Sequence, residues 1–135
     1  MRRTVLLALF TSSLALAACG GSDSSSSTTE SETTSPSVAR KEVGETRDAL
    51  NAALASYKKG NKAAANEQVA EAYVSHFEEV EGPLEGKDSE LKERLEHAIA
   101  DDLRSSMKAG KPASEIEAQV KAIVADLDKA EAALQ

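Results

Sequence analysis

Tryptophan is absent from this 135-residue chain, and two Phe and two Tyr are its only aromatic residues. Proteins that stack bases or sugars need aromatic platforms, so polysaccharide and nucleic-acid binding have little to rest on. Basic charge is also short: 16 Lys and Arg against 23 Asp and Glu leave a net charge of −7. That balance repels phosphate backbones and anionic headgroups and favours cations or basic partners. A single cysteine, Cys19, excludes an intramolecular disulfide and any CxxC site. No Gly-rich phosphate loop, HExxH, Gly-x-Ser-x-Gly or calcium-loop spacing is present, so no enzyme is expected. The chain has no Asn-x-Ser/Thr sequon either, and N-glycans are not predicted.

What is there begins with Arg2 and Arg3 ahead of an apolar run from Val5 to Ala18. A basic start, a short apolar core and small residues at its end are the marks of a secretory signal. The run falls short of the about 20 apolar residues a spanning helix needs. Leu16-Ala17-Ala18-Cys19 resembles a bacterial lipobox. In proteins of that type the cysteine receives a covalent diacylglycerol and becomes the first residue of the mature chain. The resemblance implies residues 1–18 as a cleaved lipoprotein signal peptide, Cys19 as a lipid anchor in the bilayer, and an extracytoplasmic location on the cell membrane. Each buried acyl methylene contributes about 0.8 kcal/mol, so two or more chains hold firmly. Loss of Arg2 and Arg3 takes the net charge to −9.

Residues 19–37 read as a lipid-anchored, Ser/Thr-rich flexible linker. From Gly20 to Ser37 no apolar residue is available to seed a core. As a coil the stretch spans on the order of 20–25 Å, and stretched roughly 60 Å.

Residues 38–135 form the folded domain, helical in its periodicity throughout. Helix one is predicted from near Ser37 to Lys59, with Val43, Leu50, Leu54 and Tyr57 on one stripe and Gly60 as its stop. The second follows Asn61, carries Val69, Ala72, Tyr73, His76, Phe77 and Val80, and frays near Gly82-Pro83. Helix three starts at Asp88 or Ser89 and uses Leu91, Leu95, Ala98, Ile99, Leu103 and Met107 before Gly110. The fourth begins near Pro112, where Ser114 and Glu117 suit a capping box, and shows Ile116, Val120, Ile123, Val124, Leu127 and Leu134. Four amphipathic helices with short connections predict an all-α, antiparallel up-down four-helix bundle, with a tetratricopeptide-like pair of hairpins as the alternative.

A helical wheel at 100° per residue sorts the polar candidates. His76 falls inside the apolar arc of helix two, Glu81 at its edge and Glu78 on the far side. On helix three Asp102 lies with Leu95 and Ala98, and Glu96 at the border. Arg47 occupies an expected apolar position on helix one. Two arrangements follow. In one, Arg47 pairs with Asp102 and His76 finds a hydrogen-bond partner, because buried charges must be paired. In the other, His76, Glu81 and Glu96 converge on a metal, in the way bundles build sites from inward Glu and His.

The segments Tyr57-Lys58-Lys59-Gly60, Val69-Ala70-Glu71-Ala72-Tyr73, Phe77-Glu78-Glu79-Val80-Glu81-Gly82-Pro83-Leu84 and Leu95-Glu96 are similar to the extracytoplasmic helical extension of bacterial high-affinity iron permeases. The Phe-Glu-x-x-Glu piece also resembles imelysin-type iron-uptake lipoproteins. The resemblance implies that Glu78, Glu81 and Glu96 are tied to iron or another cation, and that an iron permease is a partner. The permease's membrane helices and Arg-Glu-Gly-x-Glu motifs are absent, which excludes transport by this chain. The expectation is a membrane-anchored lipoprotein that binds a cation as an accessory to iron uptake. The alternative is a non-catalytic envelope interaction or structural lipoprotein whose acidic face docks a basic partner without metal.

Overall fold

The computed structural model describes residues 34–135, and there the chain is helical with no strand among the described residues. Four helices follow one another: α1 at Pro36–Lys58, α2 at 62–85, α3 at 89–108 and α4 at Ala113–Ala133. The expected Cys19 anchor and the signal and linker up to residue 33 lie outside the described residues. Among those described, no helix is long and apolar enough to cross a membrane.

Each boundary has a local cause. The Ser35 side chain accepts the Val38 N–H at 3.4 Å and Pro36 occupies the first turn, so α1 begins inside what composition assigned to the linker. It stops at Gly60, whose φ of +88° lets the Asn61 N–H reach back to the Ser56 carbonyl at 3.0 Å. Gly110, at φ +69°, ends α3 in the same way, with the Lys111 N–H on the Ser106 carbonyl at 3.2 Å. Asp88 caps α3 as expected, accepting the Leu91 N–H at 2.9 Å.

Two local expectations fail. The Ser114/Glu117 capping box does not form, because α4 starts behind Pro112 with Ser114 already inside it, and Glu117 binds Lys58 at 2.8 Å instead. Nor does α2 fray at Gly82-Pro83: it runs to Glu85, held across the proline by fully buried Val80 and Leu84.

Packing places α1 against α2 and α4, and α3 against α2 and α4. Phe77, Leu50, Leu84, Leu95, Ile99, Leu103 and Leu127 lie fully buried in one core, and each such side chain contributes about 1.5–3 kcal/mol. The two glycine turns sit side by side. Tyr57 donates its hydroxyl to the Lys111 carbonyl at 2.7 Å, and Lys62 donates to the Gly110 carbonyl at 3.3 Å while lying 5.3 Å over the Tyr57 ring. Elsewhere Arg40 donates to the Leu134 carbonyl at 3.0 Å, joining the start of α1 to the end of α4.

Both inner helices widen into π turns, at Tyr73–Phe77 in α2 and His97–Leu103 in α3. The apolar spacing explains why. Leu91, Leu95, Ile99, Leu103 and Met107 are all buried and recur every four residues. A regular helix turns such a stripe about 40° further at each step, and the slower rotation of a π turn cancels part of that drift. In α2 the step from buried Ala72 to buried Phe77 is five residues, the i to i+5 spacing of a π turn.

Candidate functional site

The expected cation ligands fall on two seams of the bundle. On the seam between α2 and α3, the Tyr73 hydroxyl donates to Glu81 Oε1 at 2.5 Å, and its ring packs on Phe77 with centroids 5.8 Å apart. Burial, the Glu81 hydrogen bond and the charges of Glu81, Glu96 and Glu78 together hold the Tyr73 phenol well above its ordinary pKa. At neutral pH Tyr73 is therefore a protonated donor set among three carboxylates. Glu81 and Glu96 are half-buried and Glu78 is exposed. Glu96 accepts from Lys92 at 3.3 Å, and Lys92 also reaches Glu85 at 3.3 Å.

Tyr73 is the residue that sequence reasoning left in the core. Positions eight apart on a regular helix lie about 80° out of line. The π turn between Tyr73 and Glu81 removes part of that offset and brings the hydroxyl onto the carboxylate. The five-residue step is between buried positions, Ala72 and Phe77, and apolar Tyr73 and Val74 between them hide it in the sequence.

His76 belongs to the other seam. Its Nδ1 lies 2.8 Å from Glu42 Oε2 on α1, and the pair bridges α1 and α2. The His76 hydrogen bond, opposed by burial and helped by Lys41, holds the Glu42 carboxyl below its ordinary range. The expected convergence of His76 with Glu81 and Glu96 is not formed, because Glu42 takes the imidazole on the α1 side. Among the described residues no three His, Cys, Asp or Glu side chains stand close enough to hold a metal ion.

The expected Arg47–Asp102 pair is also corrected. Arg47 binds Asp128 and Glu131 on α4, both at 2.8 Å. Asp102 is exposed on α3, because a wheel turned at a constant 100° runs out of phase through the seven-residue π segment His97–Leu103. The arrangement without metal calls for a hydrogen-bond partner for His76, and Glu42 is the group that supplies it.

Comparison with protein-family models, with curated proteins and with solved structures gives no match to this chain.

Proposed function

We propose that this chain is an extracytoplasmic lipoprotein, anchored through Cys19, whose antiparallel up-down four-helix bundle binds a cation, iron foremost, as a non-catalytic accessory to iron uptake. The observation that carries the reading is the group of Glu78, Glu81 and Glu96 about the Tyr73 hydroxyl on the α2–α3 seam. Carboxylate and phenol oxygens are hard donors, the set preferred by small, highly charged cations. Iron is cargo here, taken up by surface side chains that reorient: Glu78 is exposed, and Glu96 must leave Lys92. The adjacent glycine turns and the short connections support the up-down arrangement.

One observation favours docking without metal as a second reading. The carboxylates of this seam do not meet as a ligand set, and Glu78, Glu79, Glu85, Glu90 and Glu93 face solvent. A basic partner, an iron permease or another envelope protein, suits such a face.

Calorimetric titration of the full chain with ferric citrate, then ferrous, zinc and copper ions, separates the two. Saturable binding that disappears in Glu78→Gln/Glu81→Gln supports the cation reading. Flat traces for every ion overturn it and leave the docking surface.

A further inference from the structure

Charge is unevenly placed along this bundle. At the end built by the two glycine turns, Lys58, Lys59, Lys62, Arg104, Lys108 and Lys111 stand against Glu67, Glu115 and Glu117. Lys58 is paired with Glu117 and Lys111 with Glu115, while Lys59, Arg104 and Lys108 make no ion pair among the described residues. From Glu78 to Glu96 the opposite end carries eight acidic residues against Lys87, Lys92 and Arg94. Lys62 opens α2 and Glu85 closes it, so the two poles stand roughly 35 Å apart along the axis. That is several times the Debye length of about 10 Å at 0.1 M salt, so each pole acts on a neighbour by itself despite the net charge of −7.

Both poles open onto the α2–α3 side of the bundle. Lys62, Glu67 and Lys108 line one shallow groove between these helices, and Asn66 donates to the Arg104 carbonyl at 2.8 Å. At the other end Lys92 on α3 reaches Glu85 on α2 at 3.3 Å, and Glu78, Glu81 and Glu96 surround Tyr73. Between the poles Ala70, Val74 and Glu78 recur every four residues, the spacing of one helix face. Val74 is the more exposed of the two large apolar side chains on the described surface. It stands midway, twelve residues after Lys62 and eleven before Glu85. A two-fold axis at Val74 therefore lays this face antiparallel on itself. Val74 meets Val74 of the second copy, Lys62 and Lys108 come level with the second copy's Glu85, and the same contact repeats at the other end. Two helices wide and one helix long, the face covers roughly 700 Å², just under the about 800 Å² per partner of a standard interface. Such a pair is weak and depends on its charges.

We propose that the α2–α3 face is an antiparallel self-docking surface, the basic turn end of one copy lying on the acidic Glu78 to Glu85 end of a second. This pairing rests on the docking reading of the acidic face and supplies, from a second copy, the basic partner it calls for.

Sedimentation equilibrium of the full chain tests it. Pairing is expected at about 20 mM NaCl and is expected to weaken about tenfold or more at about 300 mM, as contacts between exposed charges are screened. Arg104→Glu/Lys108→Glu and Glu78→Lys/Glu85→Lys are each expected to be monomeric. An equimolar mixture of the two is expected to pair as the wild type does, because each pole then faces its opposite again. Lys108→Glu alone, at an exposed position, is expected to weaken pairing about tenfold, since the symmetry removes a contact at both ends. Lys121→Glu, exposed on α4, leaves it unchanged. A wild-type chain monomeric at both salts, pairing indifferent to salt, unchanged pairing in Lys108→Glu, or two folded variants whose mixture stays monomeric overturns the proposal. Amide NMR shifts with hexalysine separate that failure from failure of the docking reading. Saturable shifts at Glu78 and Glu85 in a monomeric chain keep the acidic docking face and remove only the self-pairing; absence of shifts removes both.

Discussion

The Tyr57 hydroxyl donates to the Lys111 carbonyl across 2.7 Å, so the turn that ends α1 is fastened directly to the turn that precedes α4. Tyr57 is nearly buried and its ring also carries Lys62. Tyr57→Phe keeps the ring and removes only the hydrogen bond. A loss of about 0.5–1.5 kcal/mol in urea unfolding is expected, with the helix content of the native state unchanged.

Arg47 supplies a test of the α1–α4 seam. Its partners Asp128 and Glu131 are both partly exposed, so each pair contributes modestly, about 0.5–1 kcal/mol. A double-mutant cycle of Arg47→Met with Glu131→Gln is expected to show coupling of that size. The same cycle with Asp102→Asn is expected to show none, since Asp102 stands on α3 and makes no contact with Arg47.

Acid stability depends on the His76–Glu42 pair. The Glu42 carboxyl is held below its ordinary value of 4.5, first by the His76 hydrogen bond, against burial, and then by Lys41. A group with a depressed folded-state pKa contributes stability that is fully present above its unfolded value and is lost as pH falls through the folded one. Glu42→Gln is therefore expected to destabilise the protein at pH 6 and to flatten the stability curve below about pH 4.5. Urea melts between pH 3 and 7 measure both effects; parallel curves for the two proteins would contradict the assignment.

Glycines separate by conformation. Gly44 lies inside α1 with open space where a Cβ would stand, and Gly44→Ala is expected to stabilise by about 0.5–1 kcal/mol. Gly60 sits at φ +88°, and Gly60→Ala is expected to cost about 1 kcal/mol. Thermal melts of the two variants should move in opposite directions.

The limits of reading this chain as a sequence follow from the same geometry. The four helices, the glycine stops and the Asp88 cap were legible, because capping residues and apolar stripes act within a turn or two. A wheel turned uniformly gave Asp102 the company of Leu95 and Ala98, and missed Tyr73 as a polar group. It accumulates error wherever the helix unwinds, and the strict four-residue recurrence from Leu91 to Met107 was the sign that it does. Partners on distant helices were illegible for another reason. Glu42 and His76 are 34 positions apart, and nothing in local spacing selects Glu42 over Glu45 as the mate.

The widened turn in α2 also amounts to one residue more than the core requires. Val74, within it, is 59% exposed and is not part of the buried stripe. Excising Val74 would shorten the step from Ala72 to Phe77 to four residues and let the segment close into a regular helix. Deletions inside helices ordinarily rotate everything downstream by about 100° into solvent. Here the core stripe can absorb the loss, and Tyr73 and Glu81, then seven positions apart, stay within about 20° of one another on a regular helix. The chain thus holds a surplus residue whose removal is expected to spare both the buried stripe and the alignment of Tyr73 with Glu81.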